Sequence, residues 1–374
     1  MTGNHDDGLF IDAGIRRGDF TLTVTLGAAP GQVVGVLGPN GAGKSTLLAA
    51  LAGLIPVTTG RIMLSGQVLD DAGTGTFVEA ARRPVGFVFQ NYRLFPHLSV
   101  LDNVAFGPRA RGAGRSAATA VATDWLARLG LTALARRKPR NISGGQARRV
   151  ALARALAAQP SLLLLDEPLS ALDAGTRLDV RTELKRHLSD FPGPCLLVTH
   201  DPLEALVLAD RLVVLEDGRI AQEGTPASIA RRPRTDYVAK LVGLNLYSGH
   251  ADYSTVDLAG GGSFAIAGHG GHGDVLVALR PSDVRVSGAP SETGSAPNNW
   301  PARVTGLTLL ADRIRLDLDG TPPARVDVTP AVVLELSLSP GSQVWLTVEP
   351  ADLEVYQVSS HEDPMLGRLD AGWR

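Results

Sequence analysis

The stretch GPNGAGKST, residues 38–46, decides the fold of the first part of this chain. It matches the pattern G-x-x-x-x-G-K-[ST] at Gly38, Gly43, Lys44 and Ser45, follows an apolar run and precedes leucines at helical spacing. A strand, a glycine-rich turn and a helix start direct backbone N–H groups and a helix dipole at one point. We therefore predict a phosphate-binding loop. Lys44 would contact the β- and γ-phosphates of a nucleotide, and the Ser45 hydroxyl would bind Mg²⁺. The residues expected to bind the nucleotide here are Gly38, Pro39, Asn40, Gly41, Ala42, Gly43, Lys44, Ser45 and Thr46.

Length and charge bound the remaining possibilities. The chain has 374 residues, which predicts two or three domains. With 36 Lys and Arg against 38 Asp and Glu, nothing indicates a nucleic-acid partner or an anionic membrane surface. The single cysteine, Cys195, excludes an internal disulfide and lies in an apolar run, so we expect it to be buried. No apolar run reaches the roughly 18 residues of a membrane span, and no signal segment begins the sequence.

Two patterns of hydrophobicity follow one another along the chain. Up to about Leu241, helical patterns alternate with short, wholly apolar runs, which predicts an α/β fold with a mainly parallel sheet. Beyond it, short β-like segments alternate with Gly, Ser and Pro, which predicts an all-β domain or a pair of small β barrels. We expect an α/β domain at 1–240, a linker and first β segment at 241–296, a β domain at 297–358 and a polar tail at 359–374.

A pair of carboxylates follows a buried strand. The run Leu162–Leu165 is entirely leucine and ends at Asp166 and Glu167. Asp166 would orient Mg²⁺ or its water shell, and Glu167 would polarise a water in line with the γ-phosphate. An Asp-Glu pair alone would more often be a strand-end turn, but a phosphate loop upstream favours the catalytic interpretation.

A second helix start resembles an anion site. Ser143, Gly144, Gly145 and Gln146 precede an Ala/Leu/Arg-rich helical segment. Serine is a favoured N-cap, and two glycines leave the backbone N–H groups uncovered. Simple capping is the alternative. Two phosphate sites at distant helix starts suggest that one ATP is clamped between the first site of one subunit and the second site of another.

Together these motifs resemble the ATP-binding cassette (ABC) ATPases. ISGGQ at 142–146 lies between a phosphate loop and LLLLDEP, and the family marks continue in order with Gln90, the SALD sequence ending at Asp173, and His200. The resemblance covers residues 10 to 245. It implies an α/β P-loop nucleoside triphosphatase fold, the ABC cassette, followed by a small all-β regulatory domain.

The resemblance also implies roles for single residues. Gln90 would contact the Mg²⁺ and water shell and couple to a membrane partner, so that Ser45, Gln90 and Asp166 form the metal set. His200 would contact the γ-phosphate and act with Glu167 and Gln90 in catalysis. Asp173 would lie across the interface of a homodimer. The adenine ring would stack on Arg17 or Phe20.

The type of ABC protein follows from further similarities. One phosphate loop, one signature and no long heptad segment exclude tandem-cassette and chromosome-maintenance relatives. Residues 91–107 and 278–284 resemble maltose, sulfate, iron and molybdate importers, and residues 243–249 and 297–357 resemble the molybdate branch with its Mop domain. This implies an ATP-hydrolysing translocase subunit, peripheral on the cytoplasmic face of the cell membrane. Its partners would be integral membrane permease subunits and, indirectly, a periplasmic or surface substrate-binding protein, with no nucleic acid. The alternatives are a sulfate, ferric iron or sugar importer, or a soluble regulatory ATPase or oxyanion sensor.

Two patterns in the second half bear on ligands other than ATP. In the Mop resemblance, Asn298 or Asn299 and Thr329 keep part of an oxyanion pattern, but Glu349 stands where lysine is common, and its charge would repel an oxyanion. We therefore expect this domain to serve in dimer contact. The glycine-rich segment with His269 and His272, with His250 nearby, predicts a flexible loop rather than a metal site, because no carboxylate or cysteine completes a ligand set.

Overall fold

The computed structural model describes residues 8–169, 174–268, 271–290 and 297–357, with backbone alone for 174–180. Asp173, His269 and the expected polar tail lie outside these ranges. The chain divides into two compact units, residues 1–229 and 230–374. The boundary expected at residue 240, and the division of the second half at 296, stay predictions. None of the described helices is both long and apolar enough to cross a membrane.

The first unit alternates strands and helices. Its elements are β1 (Leu9–Arg17), β2 (Phe20–Ala28), β3 (Val33–Leu37), α1 (Lys44–Leu51), β4 (Thr59–Leu64), β5 (Gln67–Asp71), β6 (Thr76–Phe77), β7 (Val85–Val88), α2 (Val100–Ala110), α3 (Arg115–Arg128), α4 (Gly144–Ala157), β8 (Leu162–Asp166), α5 (Ala174–Ser189), β9 (Cys195–Val198), α6 (Pro202–Leu208), β10 (Arg211–Glu216), β11 (Arg219–Gly224) and α7 (Pro226–Arg231).

The sheet that holds the site has the strand order β11-β10-β3-β9-β8-β7. Neighbouring strands from β10 to β7 are parallel, and β11 pairs with β10 in the antiparallel direction. Every residue of β3 and β9 is buried, as their unbroken apolar sequences predict for strands covered on both faces. Cys195 is buried in β9, as expected, and burial raises the pKa of its thiol. The segments that follow β3, β9, β8 and β7 therefore leave the same edge of the sheet.

A second, antiparallel sheet, ordered β2-β1-β4-β5-β6, shares a core with the first. Its strand β2 alternates buried and exposed residues, so one face contributes side chains such as Leu22. Helix α1 contributes Leu47, Leu48 and Leu51 to the same core. Helices α2, α3 and α4 form a separate apolar cluster that includes Val104, Leu126 and Val150. The phosphate-loop helix is thus buried on most of its surface.

The carboxyl end of α1 is held by one buried arginine. Arg83 donates from Nη1 to the carbonyl oxygens of Ala50 at 2.7 Å and Leu51 at 3.0 Å, and from Nε to Val78 at 2.7 Å. Its Nη2 lies 3.4 Å from Oδ2 of Asp70, whose pKa is raised by burial against the opposing effect of Arg83. The last carbonyls of a helix lack partners within it, so Arg83 supplies what α1 cannot.

The second unit is built from antiparallel strands. Its elements are α8 (Asp236–Val242), β12 (Asn245–Asp252), β13 (Thr255–Leu258), β14 (Ser263–Ala265), β15 (His272–Leu279), β16 (Arg285–Ser287), β17 (Asn298–Leu310), β18 (Arg313–Gly320), β19 (Ala324–Val328), α9 (Pro330–Glu335), β20 (Gln343–Val348) and β21 (Glu354–Gln357). The sheets are ordered β14-β13-β12-β15-β21 and β16-β20-β17-β18-β19, and one apolar cluster spans both. The all-β prediction is confirmed for the strands, whereas α9 was not anticipated.

One strand of this unit begins within the segment that the sequence predicts as a loop. The Gly-, Ser-, Pro- and Asn-rich sequence of residues 287–299 predicts a loop or linker, yet β17 begins at Asn298 and buries alternate residues, including Asn298, Trp300 and Ala302. Pro301 faces the exposed side between them. The alternation of buried and exposed residues could not be recognised from the sequence at the start of β17, where two asparagines and a proline occur. Asn298 is buried through hydrogen bonds to the backbone of Ala265 rather than through apolar contact.

Replacing Arg83 by alanine is expected to loosen α1. The carbonyls of Ala50, Leu51, Val78 and Leu69 and the Asp70 carboxylate would lose a buried donor. This loss should lower the free energy of local unfolding of α1 by roughly 2–4 kcal/mol. Amide hydrogen exchange of α1 measures this directly. The exposed neighbour change, Arg82→Ala, is the matched control, and equal protection of α1 in both variants would contradict the assignment.

Candidate active site

The phosphate loop adopts a backbone that requires glycine at three positions. Gly38, Gly41 and Gly43 have φ values of 153°, 84° and 106°. A Cβ on Gly38 would lie 2.2 Å from the Leu215 carbonyl oxygen, and one on Gly43 would lie 3.0 Å from the ring of Phe20. Gly43 is also the N-cap of α1, so no side chain covers the first turn of the helix. The loop therefore leaves its N–H groups and the helix dipole to a ligand.

Lys44 organises the loop from inside. Its Nζ donates to the carbonyl oxygens of Gly38 at 2.6 Å and Pro39 at 2.8 Å. Burial lowers the pKa of Lys44, while the charges of Glu167 and Asp166 oppose that shift. An ammonium group has three donors, so one remains for a phosphate oxygen. Gly38 and Pro39 thus act through their carbonyls, as partners of Lys44.

Asp166 ends β8 at the floor of the cleft. Burial raises its pKa, the neighbouring charge of Glu167 raises it further, and Lys44 lowers it. Two adjacent carboxylates in a partly desolvated site repel each other, so this position favours a cation. Together with the Ser45 hydroxyl and the Gln90 amide, it offers the oxygen ligands that Mg²⁺ prefers.

Glu167 is held at both carboxylate oxygens. Gln90 donates from Nε2 to Oε2 of Glu167 at 2.7 Å, and Nδ1 of His200 lies 3.1 Å from Oε1. The Glu167 backbone has φ of 46°, and its N–H donates to the carbonyl oxygen of Val198 at 2.8 Å. A non-glycine residue in this left-handed region costs of order 1 kcal/mol and is common at functional sites. The backbone strain and the two side-chain contacts fix the carboxylate above Asp166.

These groups border one cleft of about 460 Å³. Both candidates for adenine stacking, Arg17 and Phe20, lie on its wall. The full lining is Arg17, Phe20, Asn40, Gly41, Ala42, Gly43, Lys44, Ser45, Thr46, Gln90, Asp166, Glu167 and Val198. The structure therefore brings together the phosphate loop, the glutamine and the two carboxylates that the sequence indicated, and His200 reaches them through Glu167.

The signature segment, ISGGQ at residues 142–146, does not line this cleft and caps its own helix, α4. Ser143 Oγ accepts from the Gln146 N–H at 3.3 Å, and Gln146 Oε1 accepts from the Ser143 N–H at 3.0 Å, which is a reciprocal capping box. A Cβ added to Gly144 or Gly145 would meet nothing within 4 Å. None of these four residues lines the cleft. Within the described chain, nothing local requires glycine at these two positions.

One group near His200 was not assigned a role from the sequence. Thr199 and Glu204 are buried, and the Thr199 hydroxyl donates to Glu204 Oε2 at 2.5 Å. The signal was present in the spacing, because Asp201 is a good N-cap and Glu204 stands at the third position of α6.

Both asparagines of the oxyanion pattern in the second unit form internal hydrogen bonds. Asn298 exchanges hydrogen bonds with the backbone of Ala265, at 2.7 and 2.9 Å. Asn299 donates to Thr347 Oγ1 at 3.2 Å. Glu349 forms an ion pair with Arg285, so its negative charge is compensated within the chain.

The histidines of the second unit have carboxylate neighbours, contrary to the expectation. His250 and His272 lie on the paired strands β12 and β15, not in a loop, and each faces an aspartate of the opposite strand. Nδ1 of His250 lies 3.1 Å from Asp274 Oδ1, and Nδ1 of His272 lies 3.8 Å from Asp252 Oδ1. The cross-strand register makes these pairs, which a sequence cannot show. Even so, no set of three or more ligands among the described residues has metal-site geometry.

Comparisons with known proteins agree with this architecture. The ABC transporter family matches residues 22–170, and the TOBE domain family matches residues 294–355. A solved structure, the dimeric post-hydrolysis state of the ATP-binding cassette MJ0796 bound to ADP and Pi, is 30% identical. It has a TM-score of 0.50 and covers 58% of this chain and 98% of its own.

Curated relatives match nearly the whole chain. The molybdenum import ATP-binding protein ModC of Mycobacterium tuberculosis is 37% identical over 359 residues, covering 90% of this chain and 95% of that protein. The Fe(3+) ions import ATP-binding protein FbpC of Streptomyces coelicolor is 40% identical over 335 residues, covering 89% and 91%. The sulfate/thiosulfate import ATP-binding protein CysA of Photorhabdus laumondii is 41% identical over 280 residues, covering 73% and 75%. From its cassette fold, its cleft and these relatives, this chain belongs to the family of ABC transporter ATP-binding proteins, with a C-terminal TOBE domain.

Proposed function

We propose that this chain is the ATP-hydrolysing subunit of an ABC importer and that the imported ion is molybdate. The observation that supports hydrolysis most directly is the carboxylate of Glu167, held between Gln90 and His200 beside the phosphate loop. A fixed carboxylate next to a phosphate cradle can accept a proton from an attacking water. The cradle alone would support binding only.

The residues of the cleft have different proposed roles in ATP hydrolysis. Lys44 and the loop N–H groups hold the phosphates, and His200 stabilises charge on the γ-phosphate as the transition state forms. Ser45, Asp166 and Gln90 would hold Mg²⁺, which would neutralise charge on the phosphate oxygens. Protein groups supply few ligands, as is usual for Mg²⁺, which keeps waters and phosphate oxygens in its shell. Glu167 is not part of this metal set and would orient the attacking water.

The signature segment supports a head-to-tail homodimer. The start of α4 is capped and open at Gly144 and Gly145, yet lies outside the cleft of its own chain. Such a helix start is suited to an anion brought by another molecule. The dimeric state of MJ0796 with ADP and Pi is consistent with this arrangement. In the proposed closed dimer, Ser143, Gly144, Gly145 and Gln146 of one protomer contact the γ-phosphate held by its partner, and Asp173 lies at the interface.

A membrane permease is the proposed second partner. The segment after Gln90 presents the exposed ring of Phe106, which contacts the ring of Phe95 at 4.5 Å between centroids. Asn103 fixes this surface by bonding to both the N–H and the carbonyl of Phe95, at 2.8 and 3.1 Å. We propose that this surface docks on permease subunits, which places the chain on the cytoplasmic face of the membrane as a peripheral subunit. A substrate-binding protein would act through the permease.

The choice of molybdate rests on similarity. The ModC relatives match over 90% of this chain, and the linker and C-terminal patterns resemble that branch. Relatives named for ferric iron, sulfate and sn-glycerol-3-phosphate have comparable identities, so these are the competing substrates. A soluble regulatory ATPase is the competing class, and the exposed Phe106 surface favours the transporter.

Glu167→Gln is expected to separate binding from turnover. The amide keeps the shape of the side chain but cannot accept a proton, so kcat for ATP should fall by roughly 100-fold or more. Equilibrium binding of ATP should change little, because Lys44 and the loop remain. Steady-state phosphate release and nucleotide titration measure the two effects. Glu79→Gln, an exposed change of the same kind, is the control, and undiminished hydrolysis by Glu167→Gln would remove Glu167 from the mechanism.

Mixing two inactive variants tests the shared site. Lys44→Ala removes the cradle lysine, and Ser143→Arg blocks the opposing helix start, so each homodimer should be inactive. A mixed dimer keeps one intact site, and random pairing should restore about one quarter of wild-type ATPase activity. Lys44→Ala mixed with Glu167→Gln is the matched control, because both lesions lie on the same side of the shared site and restore none. No recovery in the first mixture would contradict the head-to-tail dimer.

Substrate identity is tested with the complete transporter. The chain is reconstituted in proteoliposomes with the permease and binding protein encoded beside it. We expect molybdate to stimulate ATP hydrolysis and to accumulate inside, whereas ferric iron, sulfate and sn-glycerol-3-phosphate do neither. Stimulation by one of these others would reassign the substrate, and ATPase activity that no permease alters would favour the soluble regulator.

A further inference from the structure

The turn that carries His200 is tied to a buried carboxyl group. Thr199 and Asp201 flank the histidine, and Glu204 lies one turn into α6. Thr199 Oγ1 donates to Glu204 Oε2 at 2.5 Å and accepts from the Asp201 N–H at 3.0 Å. Asp201 in turn accepts from the backbone N–H groups of Leu203 and Glu204, at 2.9 and 3.2 Å. The bonds run continuously from one side of His200 to the other.

This arrangement differs from an ordinary capping box. There, the acidic residue at the third helical position bonds directly to the N–H of the N-cap. Here a threonine hydroxyl stands between Glu204 and the N–H of Asp201. Glu204 therefore contacts Thr199, the residue before the histidine. Through the Thr199 hydroxyl it also acts on Asp201, the residue after the histidine. A capping box that only stabilised the start of α6 would not involve Thr199.

With the Thr199 hydroxyl as the donor, the bond pattern fits the ionised form of Glu204. The Thr199 hydroxyl is the donor, so Oε2 accepts, and an O–H to carboxylate bond is characteristically short and strong. The other oxygen, Oε1, is buried without a hydrogen-bond partner among the described residues, so a proton placed there would have no acceptor. A proton on Oε2 would compete with the hydroxyl that now donates to it.

Charged groups face Glu204 from three elements. Burial has the largest effect and raises the pKa of Glu204 to about 7, against the hydrogen bond from Thr199, which lowers it. Asp201 of its own turn raises the pKa, while Arg181 of α5 and His200 lower it. Arg148 of α4 also interacts electrostatically with Glu204. Arg148 Nη1 and Arg181 Nε are buried and, within the described chain, lack hydrogen-bond partners.

We propose that Glu204 is a positioning residue for His200, and that its negative charge, acting through Thr199, holds the histidine turn in the conformation that hydrolysis requires. This rests on the proposed ATPase function. It assigns Glu204 no contact with nucleotide, so binding of ATP does not depend on it. The charge state of one buried side chain then sets the fraction of molecules with a competent His200.

The raised pKa fixes the direction of the pH effects. Between the ordinary value of 4.5 and about 7, the folded chain keeps a proton that the unfolded chain has lost. The stability contributed by this protonated form is present at low pH and is lost as pH rises through that window. Below about 7 the side chain is neutral and equivalent in charge to glutamine. Above it, only the native glutamate carries the charge.

The experiment compares Glu204→Gln with the wild type at about pH 6 and about pH 8, one unit on either side of that value. We expect similar kcat values at the lower pH and a roughly tenfold deficit of the variant at the higher pH, with KM for ATP unchanged at both. Glu79→Gln should match the wild type throughout. A ratio that is constant with pH, or an effect on KM alone, would overturn the proposal.

A second pair of variants tests the same chain of bonds. Thr199→Ser keeps the hydroxyl, and Thr199→Val removes it at nearly equal volume. At about pH 8 the valine variant should lose about as much kcat as Glu204→Gln, the serine variant should retain activity, and combining valine with Glu204→Gln should add little further loss. Full activity of Thr199→Val would overturn the proposal even if Glu204→Gln did not fold. Failure of the proposed function is recognised separately, as a wild type whose ATPase activity Glu167→Gln does not reduce.

Discussion

Parallel pairing of four buried strands is the constraint on which the site depends. Because β3, β9, β8 and β7 run in one direction, the residues that follow them leave one edge of the sheet together. The phosphate loop, His200, Glu167 and Gln90 are those residues. A register shift of one residue in any pair would move its functional side chain by more than 3 Å and turn it to the opposite face. The wholly apolar strands β3 and β9 are buried at every residue and lie at the centre of this arrangement.

Charge balance in the cleft is the second consequence of this convergence. Lys44 is partly buried beside Asp166 and Glu167; burial lowers the pKa of Lys44 and raises that of Asp166, and the charge of Glu167 raises both. Lys44 is also bonded to the carbonyls of its own loop, so it shapes the cradle as well as contributing charge. Within the first unit, Arg83 fixes the far end of the same helix. The helix that would hold the phosphates is therefore anchored at both ends before any ligand arrives.

In the second unit, residues whose types suggest ligand binding are bonded to other residues of the same chain. Asn298 resembles an oxyanion ligand by sequence, but its amide satisfies the backbone of Ala265. Glu349 would repel an anion if it stood alone, yet Arg285 pairs with it. His250 and His272 gain aspartate neighbours through strand register. In each case the contacts of the residue depend on a partner that is distant along the chain.

The sequence by itself determined the phosphate loop, the buried strands and the cap of α4, because glycine φ values, apolar runs and N-cap bonds are set by neighbours a few residues apart. It could not determine which side chains meet. Gln90 and Glu167 are 77 residues apart and touch only because β7 and β8 are adjacent in the sheet. The strained backbone of Glu167 and the hydroxyl placed between Glu204 and Asp201 likewise follow from packing around the turn. Local physics fixed the chemistry that each segment offers, and only the tertiary structure decided which groups act together, since contact across the sheet depends on strand order and register.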